Sequence, residues 1–172
     1  IDKAIHLAKN ATEKGYECTI NIMAISHEGS PFLDEALQQV EEETSASAVY
    51  IVDSFGALYS EQVRKLTTMY SEAMEGTGKD VGFHGHNNMQ LAYANTIEAL
   101  ISGANRLDAT ISGIGRGAGN CPMELILGFL HNPKFDLRPI LDVIHRLEPK
   151  PGRMYHQDRN VYIEPDVYVR NI

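Results

Sequence analysis

The chain has 172 residues, 43% hydrophobic and 22% charged, enough apolar material for one globular domain with a buried core. Lys and Arg number 15 against 23 Asp and Glu, a formal charge of −8 without a basic cluster, which argues against nucleic acid or an anionic membrane as partner. No apolar run approaches the roughly 20 residues of a membrane span, and Cys18 and Cys121 are too few and too far apart for a disulfide framework, which suits a reducing cytoplasm.

Ile1, Ala4, Ile5 and Ala8 share a helical face before Gly15 closes the helix, so the chain opens inside an element and is expected to belong to a longer protein. Cys18 to Ile25 reads as a buried strand ending at Ser26 and His27, and Ser30 with Pro31 opens a helix to about Glu43. Ala48 to Val52 is a second strand that stops at Asp53, Ser54, Phe55 and Gly56. Ser60 is expected to cap a helix reaching about Met74, followed by the turn Gly76-Thr77-Gly78.

The third strand, Asp80 to His86, runs into a polar end. Alternation puts His84 and His86 on one face, with Gly85 between them leaving the backbone room to bend. Two imidazoles on one face at the end of a strand suit a shared divalent metal; the other reading is a pair of histidines hydrogen-bonded in a polar loop.

A helix is expected from about Met89 to Ile101, stopped by Gly103, and a fourth strand from Leu107 to Ile111. The glycine-rich loop Gly113 to Gly119 follows, then Asn120 and Pro122 open a helix to about Leu130. Pro139 to Leu147 reads as one more amphipathic helix. Residues 148–172 are a polar, turn-rich tail in which V-Y-I-E-P-D-V-Y-V reads as an extended arm or stray strand.

Near-continuous apolar strands alternating with amphipathic helices give an α/β fold with a parallel sheet. Periodicity leaves two architectures open: a small doubly wound sheet, or half of a (β/α)₈ barrel, which takes ~250 residues in full. In both, the working groups lie beyond the C-terminal strand ends, where Ser26, His27, Asp53, His84, His86 and Asp108 stand. Ser26 and His27 are candidates to bind a carboxylate or carbonyl oxygen of a substrate, and Asp53 is either a loop cap or a group that orients substrate. The G-x-G at Gly113 and Gly115 invites a dinucleotide reading, but a helix follows where that fingerprint needs a strand ending in an acidic residue. Asn120 suits an N-cap, and Cys121 beside it is either a first-turn thiolate or plain packing.

Three blocks, I-M-A-I-S-H at 22–27, V-D-S-F-G-A at 52–57 and the run from Gly82 to Glu124, resemble the metal-dependent aldolase and Claisen-condensing family built on a TIM barrel. That family includes hydroxymethylglutaryl-CoA lyase and isopropylmalate and homocitrate synthases, and the blocks are most similar to its 4-hydroxy-2-oxovalerate aldolase branch. The resemblance implies that residues 1–147 form the C-terminal half of the barrel, with His84 and His86 as ligands of Mn²⁺, Mg²⁺ or Zn²⁺ and Asn120 as a further ligand or loop organiser. It implies a 2-oxo acid substrate, a C–C bond made or broken beside its carbonyl, and a pyruvate-type enolate. The family's first-strand motif, which supplies an aspartate ligand and an arginine, is not in this sequence, and Arg116 is the nearby cation that remains.

An acyl-CoA-dependent synthase of the same family is the runner-up, favoured if the full protein carries a further acyl-CoA site and a regulatory domain. A non-catalytic module derived from the barrel is the other alternative, separated from an enzyme by whether that aspartate and arginine are present in the full protein. A half barrel exposes two sheet edges, so self-association or pairing with the other half is expected.

Overall fold

The computed structural model describes residues 1–23, 25, 31–130, 134, 136–147, 154–156 and 161–163. Ser26, His27 and the expected cap Ser30 lie outside the described residues. Strands and helices alternate from the start: α1 (Asp2–Glu13), β1 (Thr19–Ile22), α2 (Pro31–Glu43), β2 (Ala48–Asp53), α3 (Ser60–Ala73), β3 (Asp80–Gly85), α4 (Ala92–Ile101), β4 (Arg106–Leu107) and α5 (Met123–Leu130). Helix α6 (Arg138–Leu147) follows, and the short strands β5 (Met154–His156) and β6 (Val161–Ile163) pair antiparallel with each other.

The four long-range strands lie in the order β1-β2-β3-β4, all parallel. Each new strand is added on the same side of the last one, whereas a doubly wound sheet reverses its order at a switch point. Consecutive helices touch, α1 on α2, α2 on α3, α3 on α4 and α4 on α5, so they form one continuous layer. This is the winding of a (β/α)₈ barrel carried through four units, and it decides between the two architectures that periodicity leaves open.

Side-chain alternation and the registers sort the sheet into two faces. Ile20, Val49, Ile51, Val81 and Phe83 point to the helices and form the core with Ile5, Leu37, Val63, Leu66 and Tyr70. Val49, Ile51, Leu66 and Phe83 are fully buried, each contributing ~1.5–3 kcal/mol of transfer free energy. Asn21, Tyr50, Gly82, His84 and Arg106 fall on the opposite face.

Several boundaries differ from the sequence expectation for local reasons. Tyr59, not Ser60, is the N-cap of α3, and its N–H donates to the side chain of Gln62. Helix α4 begins at Ala92 because Asn87 to Gln90 forms a turn with Gln90 in the left-handed region (φ 60°), and Asn87 Oδ1 accepts the Ala92 N–H. Strand β4 ends at Leu107, four residues early, because Thr110 pairs with Pro122 and Ile111–Gly113 turns as 3₁₀ helix. Asn120 is not a helix cap: it bridges to His86 across the sheet ends, and α5 starts at Met123.

Candidate metal and active site

Strand β3 delivers His84 in its last turn of pleat and His86 just beyond it. Their rings meet edge to face, with centroids 5.2 Å apart and planes at 69°. His84 Nδ1 lies 3.0 Å from Asp108 Oδ2. A carboxylate offers only acceptors, so Nδ1 is the donating nitrogen and Nε2 is the one left to face a ligand. A ring nitrogen of His86 hydrogen-bonds the backbone carbonyl of Arg116. Burial first, and then the neighbouring His84, hold His86 below the usual histidine range, which keeps its imidazole neutral. Each ring therefore has one nitrogen anchored, the arrangement that directs the other toward a ligand.

The glycine-rich loop closes over this pair. Asn87 N–H donates to Gly119 O at 2.8 Å, and Asn120 N–H donates to Gly113 O at 2.8 Å, so the loop is tied both to the end of β3 and to itself. The Asn120 amide nitrogen donates to Ile114 O, while its Oδ1 is buried without a partner among the described residues. A buried carbonyl oxygen left unpaired is costly unless something unseen satisfies it. Two imidazoles and an amide oxygen form a donor set that fits a divalent cation of intermediate hardness. Among the described residues, no group of three His, Cys, Asp or Glu side chains is gathered for a metal, so the amide oxygen matters to that fit.

Arg116 crosses from the same loop and donates from its guanidinium to Ser54 O at 3.2 Å, and its charge reaches His86. Asp53 sits at the end of β2 with its carboxylate turned to the helix side, 4% exposed. Its Oδ1 accepts from Ala57 N–H and its Oδ2 from Leu58 N–H, at 3.0 and 3.2 Å. Both oxygens thus hold the β2–α3 loop, which is the loop-cap alternative. Cys121 is completely buried against Ala92 and Ile126, and burial pushes its thiol up, so it is a packing residue and not a helix-terminus thiolate.

Asp108 and Tyr50 complete the picture that sequence reasoning left undrawn. Asp108 appears there only as a polar strand end. Its pairing with His84 depends on the register Gly82↔Arg106, which places the two residues side by side.

The HMGL-like family model matches residues 1–147. An oxaloacetate decarboxylase of Mycobacterium tuberculosis is 39% identical over 139 residues, covering 78% of this chain and 40% of that protein. A 4-hydroxy-2-oxovalerate aldolase of Thermus thermophilus is 41% identical over 139 residues, covering 80% of this chain and 38% of that protein. The chain thus spans about two fifths of the length of these curated relatives. Among solved structures, the N-terminal domain of a presumed aldolase from Bacteroides vulgatus superposes with a TM-score of 0.70 at 37% identity, over 85% of this chain and 50% of that one. The carboxyl transferase domain of Rhizobium etli pyruvate carboxylase shares the fold at 18% identity, with a TM-score of 0.70 over 86% of this chain and 26% of that one.

Proposed function

The chain belongs to the HMGL-like family, matched over residues 1–147, and from that membership we propose that these residues are the C-terminal half of a divalent-metal-dependent aldolase or lyase barrel, with 148–172 as an appended tail. The observation that carries the proposal is the pair of anchored imidazoles, His84 and His86, beside the unpartnered Oδ1 of Asn120. These three residues would hold Mn²⁺, Mg²⁺ or Zn²⁺. When bound, the cation would supply Lewis-acid polarisation of the carbonyl of a 2-oxo acid.

The chain's own residues do the rest of the holding. Asp108 fixes His84, the Arg116 carbonyl fixes His86, and the glycine loop fixes Asn120. In the reaction, the hydroxyl proton of a 4-hydroxy-2-oxo acid passes to a base and the bond between C3 and C4 breaks. Its electron pair moves to the 2-oxo carbonyl as a pyruvate enolate, and an aldehyde leaves. Protonation at C3 releases pyruvate. The base and the enolate-facing arginine are assigned to the barrel half outside this chain. Ser26, His27 and Asp53 remain candidates at the substrate's edge, Asp53 acting there through the loop it holds.

A decarboxylase reading is favoured by one finding, the oxaloacetate decarboxylase relative. Decarboxylation of a 2-oxo diacid forms the same enolate with carbon dioxide as leaving group, so the same site serves either reaction. The proposed setting is cytoplasmic; among the described residues no helix is long and apolar enough to cross a membrane.

The proposed partner is the other barrel half or a second copy. Among the described residues β1 pairs only with β2 and β4 only with β3, leaving an edge on each.

The test is the Mn²⁺ affinity of the full-length protein against its His84→Ala/His86→Ala variant, followed by assay with a 4-hydroxy-2-oxo acid and oxaloacetate. A tight site abolished in the double variant is expected. Absence of binding in the unmodified protein overturns the reading.

A further inference from the structure

Tyr50 lies on the sheet face that carries His84, one row below it, in register with Gly82 of β3. A Cβ built on Gly82 would stand 2.6 Å from Cζ of the Tyr50 ring and still nearer its Cδ1 and Cε1. The ring therefore lies across β3 in space that only glycine leaves vacant. Gly82 in turn pairs with Arg106 of β4, and Asp108 is two residues further along that strand's direction. The phenol is thus led from β2, over Gly82, toward the carboxylate that holds His84.

We propose that Tyr50 is a positioning residue for His84, acting through Asp108. Its hydroxyl donates to the Asp108 carboxylate, which accepts Nδ1–H of His84 and so fixes the tautomer and ring angle that present Nε2. The inference rests on the reading of His84 as a metal ligand. The environment of the phenol agrees: burial raises it above the usual tyrosine range, and the charge of Asp108 and a hydrogen bond to it act in the same direction. A carboxylate restrained from two sides has fewer rotamers from which to reach His84, so the imidazole is better ordered before any ligand arrives. Gly82 has a function in this scheme: any side chain there would lift the ring off the strand.

The experiment uses the metal-free full-length protein and Mn²⁺ alone as probe. Imidazole ¹⁵N shifts report the His84 tautomer, and titration calorimetry reports affinity, in the unmodified protein and in Tyr50→Phe. Tyr70→Phe is the control, because it removes a phenolic hydroxyl buried among α3 core residues away from the site. The expected result is a single Nδ1–H tautomer in the unmodified protein, a mixture in Tyr50→Phe, and Mn²⁺ affinity lowered about 2- to 10-fold there. Tyr70→Phe is expected to move neither signal. Unchanged His84 shifts and affinity in Tyr50→Phe overturn the inference. A tautomer that loosens in Tyr50→Phe while no variant binds Mn²⁺ upholds the positioning role and overturns the metal reading instead. If Tyr50→Phe perturbs folding, Gly82→Ala gives the second test: it keeps the hydroxyl but displaces the ring, and the same loss of tautomer is expected.

Discussion

Gly56, in the loop after β2, stands against His86, in the loop after β3, so closely that an added Cβ would lie 2.7 Å from the His86 carbonyl oxygen. The same Cβ would be 2.6 Å from Asn88 N, and Gly56 itself is in the left-handed region at φ 56°. Backbone cannot retreat as a flexible side chain would. Gly56→Ala is therefore expected to cost more than the ~1–3 kcal/mol of the backbone conformation alone and to displace His86. Gly76→Ala is the comparison, with φ 76° and nothing within 4 Å of its Cβ. Urea denaturation of both variants checks this; equal losses would show that the contact with His86 carries no weight.

Asp53 gives a second prediction. Its two oxygens accept the N–H groups of Ala57 and Leu58 in a site that is 4% exposed. Asp53→Ala strands the buried Leu58 N–H, which costs ~1–3 kcal/mol, and removes the partner of the Ala57 N–H on an exposed residue. Asp53→Asn keeps one acceptor and is expected to lose about half as much. The same variants separate loop-holding from substrate contact: a stability loss with the KM for a 4-hydroxy-2-oxo acid retained supports the former. Unchanged unfolding midpoints would show that the loop is held by other means.

The alternation of strands and helices was legible because each buried strand is an apolar run and each helix carries an apolar stripe at its own period. Strand order was not, since periodicity says which face is buried and nothing about which strand lies beside it. The same gap hid Asp108: its pairing with His84 follows from register, and L-D-A-T-I reads as one continuing strand until Thr110 is seen to pair with Pro122. Asn120 was misread as a cap for the same reason, because a bridge to His86 spans 34 positions while a cap is local. Asp53 shows the opposite case: a local signal, carboxylate then N–H groups four and five residues on, was enough to name the loop-cap role.

Tyr70 yields a third prediction. Its ring is 0% exposed in the core and its hydroxyl is buried without a partner among the described residues, with burial raising the phenol far above the usual tyrosine range. A hydroxyl that has left water and found no acceptor is a cost that phenylalanine removes at almost unchanged shape. Tyr70→Phe is expected to leave the protein as stable or about 1 kcal/mol more so by thermal or urea unfolding. A loss beyond about 1 kcal/mol would show that the hydroxyl is satisfied, most simply by an internal water.

The two cysteines give the last. Burial pushes the Cys121 thiol above its usual value, and the side chain is fully enclosed. A raised value means that the thiol form persists further into alkali, so at about pH 8 the reactive thiolate of Cys121 is scarcer than in an unfolded chain. Cys18 is only partly buried at the edge of α1, with its sulfur 3.8 Å from Ala8 O. Alkylation with iodoacetamide, followed by mass spectrometry, is expected to modify Cys18 first and Cys121 only on the timescale of local opening. Raising the pH toward about 9 is expected to speed Cys121 without a plateau, because the deprotonation midpoint lies higher still. Rapid labelling of Cys121 that levels off near neutral pH would mean that the helix terminus does stabilise a thiolate there, and that this residue faces the site it adjoins instead of packing beneath it.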